Sequence, residues 1–268
     1  MARILITGAS SGIGRATAIE LASRGHDVVA TARRPETLAD LPVAARLQLD
    51  VTDQGSVDAA IAAAGSLDVL VSNAGETIRG SVEALPLSEY QRMMELNFLG
   101  SLRVTKAVLP AFRAKRQGRI VLVSSVLGRI ALPFVSGYAA SKFALEAVAE
   151  ALAIETRGLG IHVTVIEPGR VATDGPGKAP TFADDHSDYG PVWEALLKVG
   201  AGDSIEAAEV AMLIADTVEN PDPALRVPAG AAAQQQLAAL HAAPTDRPFD
   251  FESRHRWHDR SEPAPHRN

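Results

Sequence analysis

The sequence predicts an α/β fold, a doubly wound parallel sheet forming a single domain with a substrate-loop insertion. Three observations predict it. Short apolar runs alternate with longer segments of helical periodicity along most of the chain. The first apolar run ends in a glycine-rich turn that opens a helix, the arrangement that binds phosphate. Polar residues with chemical potential fall where the apolar runs end, and open α/β sheets take their ligands at the carboxyl ends of strands.

The bulk numbers agree. A chain of 268 residues, 47% hydrophobic and 22% charged, suits one large core. Its net charge of −6 and pI near 5.7 argue against a nucleic-acid partner. The absence of cysteine excludes disulfides, a thiolate nucleophile and a cysteine–zinc site. The apolar run at the N-terminus is short for a signal peptide, and no run approaches the ~20 residues of a membrane span. A cytoplasmic protein is the expectation. There is no 20–50-residue repeat and no second domain. Residues 1–240 should form the domain, with a substrate loop at about 173–203, and residues 241–268 a polar tail.

In order, Ile4-Leu-Ile6 reads as a buried strand. Gly8-Ala-Ser-Ser-Gly12-Ile-Gly14 follows, then a helix whose apolar face carries Ile13, Ala16 and Ile19. Glycines at 8, 12 and 14 fit neither G-x-G-x-x-G nor a P-loop, yet the strand–turn–helix context suits a diphosphate. Asp27–Thr31 is the second strand. An acid near this strand's end would hold a ribose 2′-hydroxyl; here the end is Ala32-Arg33-Arg34. Arginine suits a 2′-phosphate, so NADP(H) is expected over NAD(H), with Arg33 as the contact and Ser10 beside it.

Leu47–Leu49 leads to Asp50-Val51, and Thr52 should cap a helix from Asp53 to Ala64. Leu67–Val71 is the fourth strand, ending at Asn73-Ala74-Gly75, where small residues admit a flat ligand. A helical pattern from Leu87 to Phe112, with Ser88 as cap, is interrupted by Asn97. Arg119–Val123 is the fifth strand and ends at Ser124-Ser125. A long helix runs from Tyr138 to about Arg157. His162–Ile166 is the sixth strand, followed by Glu167-Pro168-Gly169. Beyond Thr173 the pattern weakens around one helix, Pro191–Val199. Asp184, Asp185, His186 and Asp188 read as a solvated polar loop rather than a metal site. Ser204 should cap a helix to about Val218, and Leu225–Pro228 should be an edge strand.

Tyr138 and Lys142 lie four residues apart where the long helix begins, so they share a face. A cation beside a phenol favours the phenolate and lowers its pKa, which suits proton exchange with an alcohol or carbonyl oxygen.

Thr7-Gly8-Ala-Ser-Ser-Gly12-Ile-Gly14, Asn73-Ala-Gly75, Asn97, Ser125, Tyr138-x-x-x-Lys142 and Pro168-Gly169 occur in that order. Together they resemble the classical branch of the short-chain dehydrogenase/reductase family, over roughly Ala2 to Val171 and more weakly to Gly230. The resemblance implies a Rossmann-like NADP-binding domain with Tyr138 as acid/base. It implies that Ser125 hydrogen-bonds the substrate oxygen, with Ser124 as the neighbouring alternative. Lys142 would tune Tyr138 and hold the nicotinamide ribose, and Asn97 would anchor a water linking Lys142 to solvent. Gly8, Gly12 and Gly14 would shape the pyrophosphate turn, Asp50 would face the adenine, Asn73 the adenosine side and Thr173 the carboxamide. Ser10, Ser11, Ile13, Val51, Ala74, Gly75, Tyr138, Lys142, Pro168, Gly169 and Val171 are the further cofactor contacts that the resemblance implies. A homodimer or homotetramer is implied.

The expected activity is oxidoreduction between a small-molecule ketone or aldehyde and its alcohol. A dinucleotide-binding sensor with little turnover, and a lyase or epimerase using the cofactor transiently, are the alternatives. Leu127, Ile130, Leu132, Phe134, Phe182 and Trp193 suggest an apolar substrate pocket, or ordinary core.

Overall fold

The computed structural model describes residues 1–172, 179–182, 187–199 and 204–243. Its strands are β1 (Arg3–Ile6), β2 (Asp27–Ala32), β3 (Ala45–Gln48), β4 (Val69–Ser72), β5 (Gly118–Val123), β6 (Ile161–Pro168), β7 (Val171–Ala172), β8 (Ile205–Glu206) and β9 (Arg226–Ala229). Seven of them form one parallel sheet in the order β3-β2-β1-β4-β5-β6-β9. The chain winds outward from β1, returns to pair β4 beside it, then winds the other way. The order reverses between β1 and β4, which is where such sheets open a ligand crevice.

The side-chain alternation of a strand sorts the core into two layers. Ile4, Ile6, Val69, Val71, Val121 and Val123 pack on one face. Leu5, Leu70, Ile120 and Leu122 pack on the other. The first face is covered by α1 (Gly12–Ser23) and, late in the chain, by Ala207–Glu219. The second is covered by α2 (Gln54–Ala64), by Gly100–Lys115 and by Ser136–Thr156. Burial on both sides is why these strands read as unbroken apolar runs.

With α3 (Leu87–Met93), the remaining helices in order are α4 (Gly100–Lys115), α5 (Ser136–Thr156), α6 (Gly190–Val199), α7 (Ala207–Glu219) and α8 (Ala231–Ala242). Several details differ from the sequence expectations. The buried face of α1 is Gly14, Thr17, Ala18 and Leu21, and Ile19 is exposed. That set has the i, i+3, i+4, i+7 spacing of a buried helix face, turned from the expected one so that Gly14 meets the turn it belongs to. Asp53, not Thr52, caps α2, accepting from Ser56 N at 2.7 Å. The hydroxyl of Thr52 instead donates to Asp50 Oδ1 at 2.7 Å. Pro86, not Ser88, precedes α3, and α7 opens on a capping box between Glu206 and Glu209, downstream of Ser204. The interruption at Asn97 is a π-helix, Met94–Leu99, joining α3 to α4 without a break.

Helix α8 has no counterpart among the sequence expectations. Its signal was composition: Ala, Gln and Leu after Gly230, all strong helix formers. No helix of the described residues is long and apolar enough to cross a membrane.

Candidate active site

The ends of β1 and β4 are tied together at the switch point. Thr7 Oγ1 accepts from Asn73 N at 2.9 Å and Ala74 N at 3.0 Å. Asn73 Nδ2 donates to Thr7 O at 3.1 Å and Gly8 O at 3.2 Å. Gly8 and Gly12 have φ of +69° and +53°, a region open to glycine at little strain. A Cβ on Gly8 would stand 2.8 Å from Ala74 Cα, and one on Gly14 would collide with Asn73 Nδ2 and Gly8 O. Helix α1 starts here with no side-chain bond from Ser11 and no acid in its first turn. Its leading N–H groups are left for an anion, with the exposed Ser10 and Ser11 beside them and Ile13 packed on the sheet behind. A donor-rich, acid-free helix start fits a diphosphate.

At the end of β2, the Arg33 side chain is 67% exposed, with Nη2 3.4 Å from Glu76 Oε1. Arg92 Nη1 holds the other oxygen of Glu76 at 2.7 Å. A forked, exposed guanidinium with one long contact is able to take a phosphate. The Asp50 carboxylate accepts from Thr52 N at 2.9 Å and Thr52 Oγ1 at 2.7 Å. Burial pushes its pKa up, but those bonds and the Arg33 charge hold it below the usual carboxylate value. Val51 is buried against Gly100, where a Cβ would stand 2.6 Å from its Cγ2.

The residues expected to carry the chemistry lie past β5. Ser125 precedes a short 3-10 helix, Val126–Gly128. Its Oγ accepts from Leu127 N at 3.1 Å and donates to Pro168 O at 3.3 Å. Tyr138 sits in the first turn of α5. The residue keeps some surface open, but burial of its hydroxyl pushes the pKa up to about 12, against a hydrogen bond with Ser125 that lowers it. Lys142, one turn on, is buried. Its Nζ lies 5.7 Å from the Tyr138 ring centroid and donates to Val123 O at 2.8 Å. Burial draws its pKa down to about 8, against the charge of Glu146. Desolvation favours the neutral form of each group and is the largest influence on both.

Asn97, 1% exposed, is held by both amide atoms. Its Oδ1 accepts from Glu76 N at 2.9 Å, and its Nδ2 donates to Glu76 O at 3.0 Å and Ser141 Oγ at 3.0 Å. The π-turn aims it there. Gly75 lies beside both groups: a Cβ on it would stand 3.0 Å from Asn97 Oδ1 and 3.7 Å from Lys142 Nζ. Ser141 Oγ donates in turn to Tyr138 O at 2.7 Å. Gly169 is backed by Ala233 of α8, and Val171 pairs with Ile205. Asn97, Ser125, Tyr138 and Lys142 are therefore linked through direct contacts or a single intervening residue. Thr7, which heads the glycine-rich motif, and Ser141 join them without having been given a role from the sequence, since a lone buried hydroxyl carries no pattern of its own. Thr173 lies outside the described residues, as do Asp184, Asp185 and His186. Among the described residues no cluster could hold a metal.

Of the apolar pocket candidates, Leu127, Ile130 and Leu132 pack under α8 with Ala233 and Leu237. Phe182 packs with Ile78, Leu85 and Met93. These four are core contacts. Phe134, four residues before Tyr138, meets Trp193 edge-on with ring centroids 5.0 Å apart.

A sequence profile of the family described as short chain dehydrogenase matches residues 2–182. Human retinol dehydrogenase 8 is 42% identical over 191 residues, covering 65% of this chain and 60% of that protein. Estradiol 17-beta-dehydrogenase 1 from Rattus norvegicus is 38% identical over 251 residues, covering 83% of this chain and 72% of that one. Among solved structures, a short chain dehydrogenase from Burkholderia cenocepacia in complex with NADP aligns with a TM-score of 0.76 at 27% identity, covering 90% of this chain and 93% of that one.

Proposed function

The chain belongs to the short-chain dehydrogenase/reductase family, and from that premise we propose that it is an NADP(H)-dependent oxidoreductase interconverting an apolar ketone or aldehyde and the corresponding alcohol. The observation that carries the reading is the placing of Tyr138 in the first turn of α5, with the buried Lys142 Nζ one turn on and 5.7 Å from its ring centroid, and Ser125 just past the end of β5. When bound, the nicotinamide supplies or accepts the hydride. The chain's own residues supply the rest. Tyr138, held as a neutral phenol by burial, is ready to give a proton to a carbonyl oxygen as that oxygen gains charge. Ser125 Oγ turns from its long bond to Pro168 O and donates to the same oxygen. Lys142 uses one proton on Val123 O and keeps two for ribose hydroxyls. Asn97 fixes the main chain at Glu76, and so the wall against which the ribose lies.

At the other end, the α1 N-terminus with Gly8, Ser10, Ser11, Gly12, Ile13 and Gly14 holds the pyrophosphate, and Arg33 the 2′-phosphate. Asp50 and Val51 face the adenine, while Ala74 and Gly75 give a flat floor. Asn73 acts from behind, by shaping the turn. Pro168, Gly169, Val171 and Thr173 take the nicotinamide. An apolar substrate is supported by the Phe134–Trp193 pair and by relatives named for retinol and estradiol. A homodimer or homotetramer in the cytoplasm completes the proposal.

The test measures binding of NADPH and NADH, then NADPH consumption over a panel of apolar ketones and aldehydes. Tighter NADPH binding with turnover of at least one apolar carbonyl compound is expected. Binding without turnover in either direction would overturn the catalytic reading and favour a sensor.

A further inference from the structure

Behind the reacting groups lie two acids that the steps above do not use. Glu146 stands on α5 one turn beyond Lys142 and is 3% exposed. Glu167, at the end of β6 just before Pro168, is 1% exposed. Both reach one cation: Arg226 Nε of β9 lies 3.0 Å from Glu146 Oε2 and 3.9 Å from Glu167 Oε1. Arg129, after the 3-10 helix, approaches Glu167 Oε1 at 3.4 Å and His241 of α8 at 3.5 Å. Glu150, a turn further along α5 and 56% exposed at its side chain, holds the outer face of Arg226 at 2.7 Å. The charged and titratable groups around the two acids are thus Lys142, Glu150, Arg226, Arg129 and His241.

An ion pair built only to hold β9 would not need this arrangement. Arg226 is already met by Glu150 at the surface, and burying two further carboxylates is costly unless every oxygen is paired. Here one is not. Glu146 Oε1 is buried with no hydrogen-bond partner among the described residues, and so is the neighbouring Ser124 Oγ. Both flank Gly128, where a Cβ would stand 2.7 Å from Ser124 Oγ and 2.9 Å from Glu146 Cγ. An incompletely neutralised carboxylate one helical turn from a buried ammonium acts on that ammonium.

We propose that Glu146 and Glu167 form a buried carboxyl couple, bridged by Arg226, that sets the charge of Lys142 from behind the active site. They are positioning residues. Glu146 is the counter-charge, and Glu167 trims it by competing for Arg226 and by its own protonation. In support, burial and the charge of Glu146 push Glu167 up to about 7, against Arg129 and Arg226. The couple would then change state near neutral pH. The proposal rests on the role given to Lys142 above, but its test does not need turnover.

The experiment is an NMR titration of the Lys142 side-chain nitrogen in the ligand-free full chain, assigned by loss of the signal in Lys142→Met. The wild type should titrate near 8. Removing the counter-charge in Glu146→Gln should lower that midpoint by about one pH unit or more, the usual effect of one nearby opposite charge. Glu167→Gln should lower it by roughly half as much, and the exposed Glu150→Gln by about 0.2 or less, given solvent screening. An unchanged midpoint in Glu146→Gln, or an equal shift in Glu150→Gln, would overturn the couple. Should Glu146→Gln not fold, the carboxyl carbons of the native protein decide. A Glu167 midpoint near 7 sustains the proposal, and an ordinary carboxylate titration there ends it. A protein that turned over no substrate while Lys142 moved as described would sink the oxidoreductase reading alone.

Discussion

At the glycine-rich turn, Thr7 Oγ1 accepts from the main-chain N–H groups of Asn73 and Ala74, and Asn73 Nδ2 donates to the carbonyls of Thr7 and Gly8, so the shape of the turn is fixed by its own bonds. At Tyr138 and Lys142 the reverse holds. The phenol is displaced up to about 12 and the ammonium down to about 8. One end of the cleft is finished geometry, and the other is unfinished electrostatics. The difference suits the tasks proposed for the two ends. A diphosphate needs donors already aimed, because reaiming them on binding costs affinity. A proton carrier needs a protonation state that a ligand's charge or desolvation can still move. Changes at the first end should therefore act on folding and binding, and changes at the second on rate and pH.

The strongest way to break this contrast is Tyr138→Phe. Loss of the acid/base should reduce kcat by about 10²–10⁴-fold. NADPH affinity, followed by fluorescence titration, should stay within about threefold, since the binding end is untouched. A comparable loss of binding would mean that the two ends are not separable. Gly14→Ala probes the other side. Its Cβ has nowhere to go against Asn73 Nδ2 and Gly8 O, so the turn must open. Overpacking of this kind costs about 1–3 kcal/mol, read from chemical denaturation, and NADPH binding should weaken with it.

The contrast also explains what could be read from the sequence. Strand ends and the turn were legible because buried parallel strands are plain apolar runs, as in Ile4-Leu-Ile6, and because a positive φ at Gly8 leaves a glycine in the text. The Tyr138–Lys142 spacing was legible because four residues make a helical face. The direction of the Tyr138 shift was not, because burial is set by residues far along the chain. The bonds of the Asn73 amide to Thr7 and Gly8 were not legible, being a partnership across 65 residues and more. Asn97 was legible as an interruption but not as a π-turn, since one extra residue per turn leaves no repeating pattern. Glu146, Glu167 and Arg226 carry no local signal at all. They meet only because β9 pairs with β6 beside α5.

A milder probe is Arg33→Ala. The guanidinium contributes charge at the finished end and touches Glu76 only at 3.4 Å, so its loss should leave stability nearly unchanged. NADPH affinity should fall about tenfold, the worth of one charge-assisted contact, while NADH affinity holds. Equal loss for both cofactors would place Arg33 away from the 2′ position and remove the reason for preferring NADP.

The smallest effect should appear in stability against pH, and it sharpens the contrast because it needs neither cofactor nor substrate. Glu167 is raised from 4.5 to about 7, mainly by burial and then by the charge of Glu146. Between those values the native state binds more protons than the unfolded chain. The stabilising contribution is complete below pH 4.5 and is lost as the pH rises through about 7. Glu167→Gln keeps the shape and cannot ionise, so it avoids that loss. Relative to wild type it should gain on the order of 1 kcal/mol between pH 5 and pH 8 in urea unfolding. A difference between the two proteins that stays flat with pH would mean that Arg129 and Arg226 keep Glu167 ionised throughout. The tension assigned to the reacting end would then stop at Tyr138 and Lys142, with a settled ion pair behind them.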